Sequence, residues 1–559
     1  MPRGNRAAQP ARLRAKPRSL SHPPRRLIGW SVALVAWSLG CPAQLLGQTP
    51  HDSATPTPSP RIIRSVQINR ETILDSTETG SWLARAANAL HVRTNRTIVQ
   101  RELLFREGEP YDSLRVFETT QNLRGMGIFR RVQVDTIPTD SGVIARVTTR
   151  DAWSTRGDVR LKSTGGQVDY QIAFIEDNFL GNATRVGLRY QKTPDRSLAS
   201  IQLRQRRLIA DRVNVEFWHE ERSDGSRNVL IVGQPFYSVI SRVGFEVRAE
   251  NRSERIFRFR EGLEVPTDTL HQRFWIGRAE LGKAVMVRNG NYLRVGLMAQ
   301  VRRDDYADTQ EGPFENSVTG AGGGFVEWRR TDVLTITKFL GLGRDEEAVD
   351  LSTTVRIGAL AALKAAGYEH DGIGSSLTLH HGIRAPGGFA FLDVAANGLH
   401  SSAGLDSGSV FVGTTLAVRP AGNQMLIAHA QAGWVKAPRP GTEFDYGLSQ
   451  GPRAFRAHAF TGDRAALVTA EYRYLPSRGI GNLANIGFAA FADYGGAWYA
   501  GSPSRLGTSL GIGLRFGVSR AANLSPNRLD LAYRVKNDVN PGGWVISVGK
   551  GLLFSTTPR

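Results

Sequence analysis

One cysteine, Cys41, occurs in 559 residues. It lies in or beside an N-terminal apolar segment, so the exported chain has neither a disulfide framework nor thiolate chemistry. Long apolar runs are also missing. The longest, Leu27 to Gly40, covers 14 residues, short of the roughly 18 that a membrane-spanning helix needs, which argues against a helical integral membrane protein. Catalytic patterns are equally scarce. There is no nucleophile elbow, and Gly479-Ile480-Gly481 has neither a following helix nor a phosphate-loop lysine. His380 and His381 fall on an expected strand, where adjacent side chains point to opposite faces and cannot share a metal. The sequence therefore reads as a non-enzyme, with no catalytic residue, no metal site and no cofactor.

What is present begins with charge. The first 26 residues carry Arg3, Arg6, Arg12, Arg14, Lys16, Arg18, Arg25 and Arg26 without an acid. With the apolar run behind them and Cys41-Pro42-Ala43 as a small-residue cleavage site, residues 1–43 form a secretory signal. Residues 44–61, containing Thr55-Pro56-Thr57-Pro58-Ser59-Pro60, form a stiff polar linker. Removing the eight signal charges leaves +12 of the formal +20. That remainder is spread along the chain, so it indicates inward-facing and rim arginines, and no nucleic-acid partner.

Residues 62–153 have a mixed texture. An alternating segment at Ile63–Ile68 is followed by helical patterns at Trp82–Val92, Thr97–Phe105 and Ser113–Gly125, the last capped by Ser113. Two strands, Arg131–Ile137 and Val143–Thr149, flank the turn Pro138-Thr139-Asp140-Ser141-Gly142. The order is β-α-α-β-β. Glu107-Gly108-Glu109-Pro110-Tyr111-Asp112, Leu123 and Gly127-Ile128-Phe129-Arg130-Arg131-Val132-Gln133-Val134 resemble a POTRA domain. The resemblance implies a periplasmic module in which Gly127 ends the second helix while Phe129, Val132 and Val134 bury against it. It also implies that clients bind by adding a strand to a sheet edge.

Within an expected barrel domain of residues 154–559, the period is two from Ser154 to Phe554. Ala466, Val468, Ala470, Tyr472 and Tyr474 share one face, and Leu467, Thr469, Glu471 and Arg473 the other. Leu510, Ile512, Leu514 and Phe516 repeat the pattern, as do Leu529, Leu531, Tyr533 and Val535. Roughly 400 residues of such strands at about 10 residues each predict a transmembrane antiparallel barrel of about 16 strands. Glycine, 60 of 559 against an average of about 7%, fits its turns. Asp304–Ser317 and Ala437–Gly462 read as extracellular loops.

Five strand-like segments follow the stretch Gly451 to Arg464. Together with Leu467–Tyr474, that stretch resembles the sixth extracellular loop and next strand of the BamA/TamA outer-membrane assembly superfamily. The family's Arg-Gly-aromatic tip is matched here to Phe455-Arg456-Ala457-His458, with Gly462, Asp463 and Arg464 following. The resemblance implies a lock in which Arg456 reaches into the lumen and pairs with Glu471 and Asp493. A guanidinium suits this role because its planar fork holds two carboxylates and stays charged.

Asp177-Asn178-Phe179-Leu180-Gly181 resembles the turn after the first barrel strand in the same superfamily. The final strand, with Trp544, Ile546, Val548, Leu552 and Phe554 on one face and Lys550 interrupting it, resembles the C-terminal signal of outer-membrane barrels. The family implies an outer-membrane protein of a Gram-negative-type bacterium that handles unfolded outer-membrane or secreted polypeptides through a weakly closed seam. Its further partners would be outer-membrane lipids and accessory periplasmic proteins. A passive porin-like channel and a dedicated secretion transporter are the alternatives.

Overall fold

The computed structural model describes residues 61–73, 89, 91–164, 167–207, 212–238, 241–288, 290–307, 314–337, 346–448, 450–476, 484–518, 526–537 and 540–550. The signal, nearly all of the linker, most of the expected helix at 82–92, Gly479–Gly481, Leu552 and Phe554 lie outside these residues.

The first elements are β1 (Ile63–Glu71), α1 (Arg96–Glu102), α2 (Ser113–Gly125), β2 (Phe129–Thr139) and β3 (Gly142–Asp151). The sheet order is β1-β3-β2, with β1 parallel to β3 and β2 antiparallel to it. Helix α2 starts at Ser113 as expected, but the cap is Asp112, whose carboxylate accepts from the Leu114 N–H at 2.8 Å. At the other end Gly127 takes φ +70 and stops the helix. Phe129 and Val132 are buried in one core with Ile63, Val99 and Leu123, and Val134 packs on its margin. A Cβ at Gly127 would meet nothing within 4 Å. Gly127→Ala is therefore expected to cost only the left-handed backbone penalty, about 1 kcal/mol, read as a shift in this domain's urea midpoint.

A run of strands follows: β4 (Thr155–Thr164), β5 (Gln167–Phe179), β6 (Thr184–Lys192), β7 (Ser197–Gln205), β8 (Asn214–Arg222), β9 (Gly225–Gln234) and β10 (Val243–Arg258). Longer ones come next, β11 (Asp268–Arg288), β12 (Asn291–Ala307) and β13 (Ser317–Arg330), before a separate hairpin of β14 (Val333–Thr337) and β15 (Glu346–Asp350). The wall resumes with β16 (Thr353–Ala362), β17 (Gly372–Ala385), β18 (Gly388–Ser401), β19 (Gly404–Val418) and β20 (Gln424–Lys436). A short pair, β21 (Phe444–Tyr446) and β22 (Phe460–Gly462), lies inside the next connection. The last five are β23 (Arg464–Tyr474), β24 (Ala484–Trp498), β25 (Gly507–Val518), β26 (Asn527–Arg534) and β27 (Gly543–Lys550).

Among the described residues twenty of these strands close a barrel, with β27 beside β4. The expected count of about 16 is too low. Five strands follow the long loop as predicted, so the shortfall lies before it. There, alternation runs almost unbroken through tight turns: only Pro386 and Gly387 separate β17 from β18, and two residues separate β18 from β19. A period-two pattern does not register a reversal that short. The connection predicted from Asp304 likewise begins later, because β12 continues to Ala307.

The faces are inverted relative to a soluble sandwich. Val468 and Tyr472 are exposed while Glu471 and Arg473 between them are buried, and Leu510, Ile512, Leu529 and Leu531 are exposed beside buried Asp530. Such an outward apolar band, with charge inside, fits a hydrocarbon surround. No helix among the described residues is long and apolar enough to cross a membrane.

Residues Pro60–Arg559 belong to one compact unit. The α/β domain sits against one end of the barrel, at the turns that follow β5, β7 and β9. Asn122 donates to the Tyr237 carbonyl at 2.9 Å, Arg207 pairs with Glu102 at 2.6 Å, and Asn95 donates to Asn182 at 2.7 Å. Asn178 is buried here and donates to Thr94 at 2.9 Å. The Asp177–Gly181 segment thus joins domain to barrel. It closes β5, the second wall strand, and not the first.

Candidate functional site

The connection from β20 to β23 leaves the barrel at the end opposite the domain, and folds back inward. The β21–β22 pair returns the chain, and Tyr446, Phe455, Ala459 and Phe460 bury against Ala465, Leu467 and Ala497 of the wall. Glycine makes room for these rings. A Cβ at Gly507 would lie 2.4 Å from the Phe455 ring, and one at Gly433 would lie 2.2 Å from that of Phe444.

Between the two short strands, Arg453 reaches the lumen face of β23 and β24. Its Nη1 lies 2.7 Å from Glu471 Oε2, and its Nε and Nη2 lie 3.2 Å from the two oxygens of Asp493. Its backbone N–H donates to Asp493 at 3.1 Å, and the guanidinium stacks 3.7 Å above the Phe491 ring. Arg453 is 5% exposed, so its charge is balanced by these acids and not by bulk solvent.

The acids serve other cations too. Glu471 accepts from Arg473 at 2.6 Å and from Arg515 at 3.0 and 2.8 Å. Arg515 also donates to Asp530 at 2.6 Å, and Arg528 lies 3.6 Å from that acid. Asp493 accepts from Thr469 at 2.5 Å and Ser509 at 3.0 Å. Buried charges are tolerable only when the desolvation cost is offset by such dense pairing. The cluster couples a loop residue to β23, β24, β25 and β26.

The predicted Arg456 is not part of it. Its guanidinium donates to the Gly262 carbonyl and lies 3.5 Å from Glu264, both in the β10–β11 connection. Three residues of chain span up to about 10 Å, so the two arginines reach different walls. Glu471 and Asp493 do meet one loop guanidinium, but it is that of Arg453. A readable signal existed: Arg453-Ala454-Phe455 keeps the aromatic of an Arg-Gly-aromatic tip and needs one replacement, whereas Arg456-Ala457-His458 needs two. Arg473, Arg515, Arg528 and Asp530 were not singled out as site residues. Arg456→Ala is expected to lower stability by less than about 1 kcal/mol in a thermal melt, because its acid partner is largely exposed.

The other tip residues divide by position. Phe455 is fully buried. The Ala457 N–H bonds Gln167 at 2.8 Å, and Asp463 accepts from the Ala500 N–H at 2.8 Å. A Cβ at Gly462 would collide with the Trp498 backbone at 2.1 Å, and Arg464 is exposed at the start of β23. His458, at φ +58, donates to Asp445 at 2.6 Å and Asp195 at 3.0 Å, with its ring stacked 3.6 Å from Phe259. Burial opposes its charge, but the two carboxylates prevail and push its pKa up to about 9. On β27, Trp544 and Ile546 face outward and are exposed, with Val548 on the same face half-buried.

His380 and His381 do face opposite ways. His380 is buried and bonded to Asp393 at 2.7 Å, while His381 is exposed and bonded to Thr353 at 2.8 Å. No group able to hold a metal is present among the described residues.

No family model matches the sequence, and no curated protein matches it. Solved structures similar to the chain include CdiB from Escherichia coli, at 12% identity and a TM-score of 0.45 over 93% of this chain and 95% of that one. CdiB from Acinetobacter baumannii is similar at 12% identity and 0.42, over 88% and 74%. BamA from Haemophilus ducreyi lacking POTRA domains 1–3 is similar at 11% identity and 0.40, over 88% and 84%.

Proposed function

We propose that the protein resides in the outer membrane of a Gram-negative-type bacterium and assists insertion or translocation of polypeptides, in the manner of the BamA/TamA superfamily. The α/β domain is then a periplasmic POTRA domain. The observation that carries this reading is Arg453: an Arg-small-aromatic loop five strands from the end, held to acids on β23 and β24 inside a lumen.

The mechanism follows from backbone pairing. In the domain sheet β2 is an edge strand, while the opposite edge, β1, is bridged at Ile62 and Ile63 by Glu109 and Pro110. A client strand pairs along β2 and passes to the barrel wall at the β27–β4 seam, leaving sideways into lipid. Unpaired backbone groups in hydrocarbon cost several kcal/mol each, so an edge that pairs them on the way lowers the barrier to insertion.

The protein reconstituted in lipid vesicles is expected to speed the folding of a second, urea-unfolded barrel about tenfold, equivalent to about 1.4 kcal/mol of barrier. A steady open conductance with no acceleration would overturn the proposal in favour of a channel.

A further inference from the structure

The β14–β15 hairpin lies on the lumen wall at the domain end of the barrel, although neither strand pairs with that wall. Leu334 and Ile336 face the wall, and Val333 and Thr335 face away and are exposed. With Val349 and Leu351 they cover an apolar shelf of Phe389, Phe391, Ala417, Met425 and Ile427. The approach is close: a Cβ at Gly382 would lie 2.3 Å from the Leu351 Cα. The hairpin is tied at its base, where the chain enters and leaves it. Arg384 pairs with Asp332 at 2.6 Å, Arg329 with Asp350 at 2.8 Å, and His380 bonds the Asp350 carbonyl at 3.1 Å.

An apolar shelf inside a charged lumen has no role in water-filled conduction. We propose that it is a binding site for an extended, amphipathic polypeptide segment, and that β14–β15 is its resident stand-in. The occupant's chemistry is read from the stand-in, whose alternation of apolar and exposed residues is that of a membrane strand. Because side-chain contact and not backbone pairing holds β14 to the shelf, an incoming strand of the same alternation can replace it while the ties at the base keep the hairpin attached. The shelf lies at the same end of the barrel as the domain, on β18 to β20. This inference rests on the polypeptide-handling role and names where inside the barrel a client is held.

The probe is a short biotinylated peptide alternating valine and threonine, added to the full-length protein in nanodiscs. Leu334→Asp with Ile336→Asp, which frees the shelf, is expected to tighten peptide binding about tenfold, since a site's apparent affinity falls with the fraction occupied by a competitor. Adding Phe391→Asp is expected to abolish that gain. In the wild-type protein, saturating peptide is expected to speed hydrogen exchange of the β14 amides, which decides the matter if the variants do not fold. Unchanged affinity in the freed protein, a gain that survives Phe391→Asp, or unaltered exchange in the wild type overturns the inference. Peptide binding is measured apart from assisted folding, so failure of the shelf and failure of the proposed function give different results.

Discussion

Replacing Arg453 by alanine is expected to destabilise the barrel by about 3–5 kcal/mol, the range for breaking a buried ion pair by removing one partner. Asp493 explains most of that loss. It keeps its hydroxyl donors Thr469 and Ser509 but loses the guanidinium and the Arg453 N–H alignment while remaining 1% exposed. Glu471 suffers less, because Arg473 and Arg515 still hold it. Lysine should not restore the wild-type value, since a point charge cannot face two carboxylates and stack on Phe491 together. The measurement is the temperature at which the folded species disappears in semi-native electrophoresis, with Arg456→Ala as the near-silent control. A variant at Arg453 that melts with the wild type removes the lock from the account.

Raising the pH from 6 to 10 is expected to loosen the loop at the rim before the barrel itself unfolds. His458 has a folded pKa of about 9 against 6.5 for the free side chain. Its contribution is therefore complete below pH 6.5, fades as pH rises through the folded value, and amounts to about 3 kcal/mol at acid and neutral pH. The proton holds Asp195, on the β6–β7 connection, to Asp445 on the long loop. The expected result is protease cleavage between Ala437 and Arg456 that rises between pH 6.5 and 9 in the wild type. His458→Gln should show the high-pH pattern throughout. Cleavage independent of pH would show that the histidine does not couple the two segments.

Much of this was readable because period two survives burial. The alternation at Ala466–Tyr474 placed Glu471 inside and Val468 outside, as the structure has them. Helix α2 was delimited correctly by its capping segment and by Gly127, since both act locally on the backbone. What was lost depends on long-range geometry. Which of two arginines, 453 or 456, meets the acids is decided by where the folded loop crosses the lumen, and the local pattern separates them only by one replacement in the tip against two. The β14–β15 hairpin escaped for a similar reason. Its alternation matches that of a wall strand, and only the shelf of Phe389 and Met425 makes it an inner element. His458 stands where the tip pattern has an aromatic. Its partners Asp195 and Asp445 lie on other segments, the former 263 residues away.

The central claim is that Arg453 and Asp493 are energetically coupled across the lumen, and a double-mutant cycle measures this directly. Arg453→Ala, Asp493→Ala and the double variant are compared in the same thermal assay, with Arg456→Ala and Asp493→Ala as the parallel cycle. The prediction is a coupling of about 2–3 kcal/mol for Arg453 with Asp493 and less than about 0.5 kcal/mol for Arg456. Additive losses at Arg453 and Asp493, or coupling carried by Arg456 instead, would contradict the account.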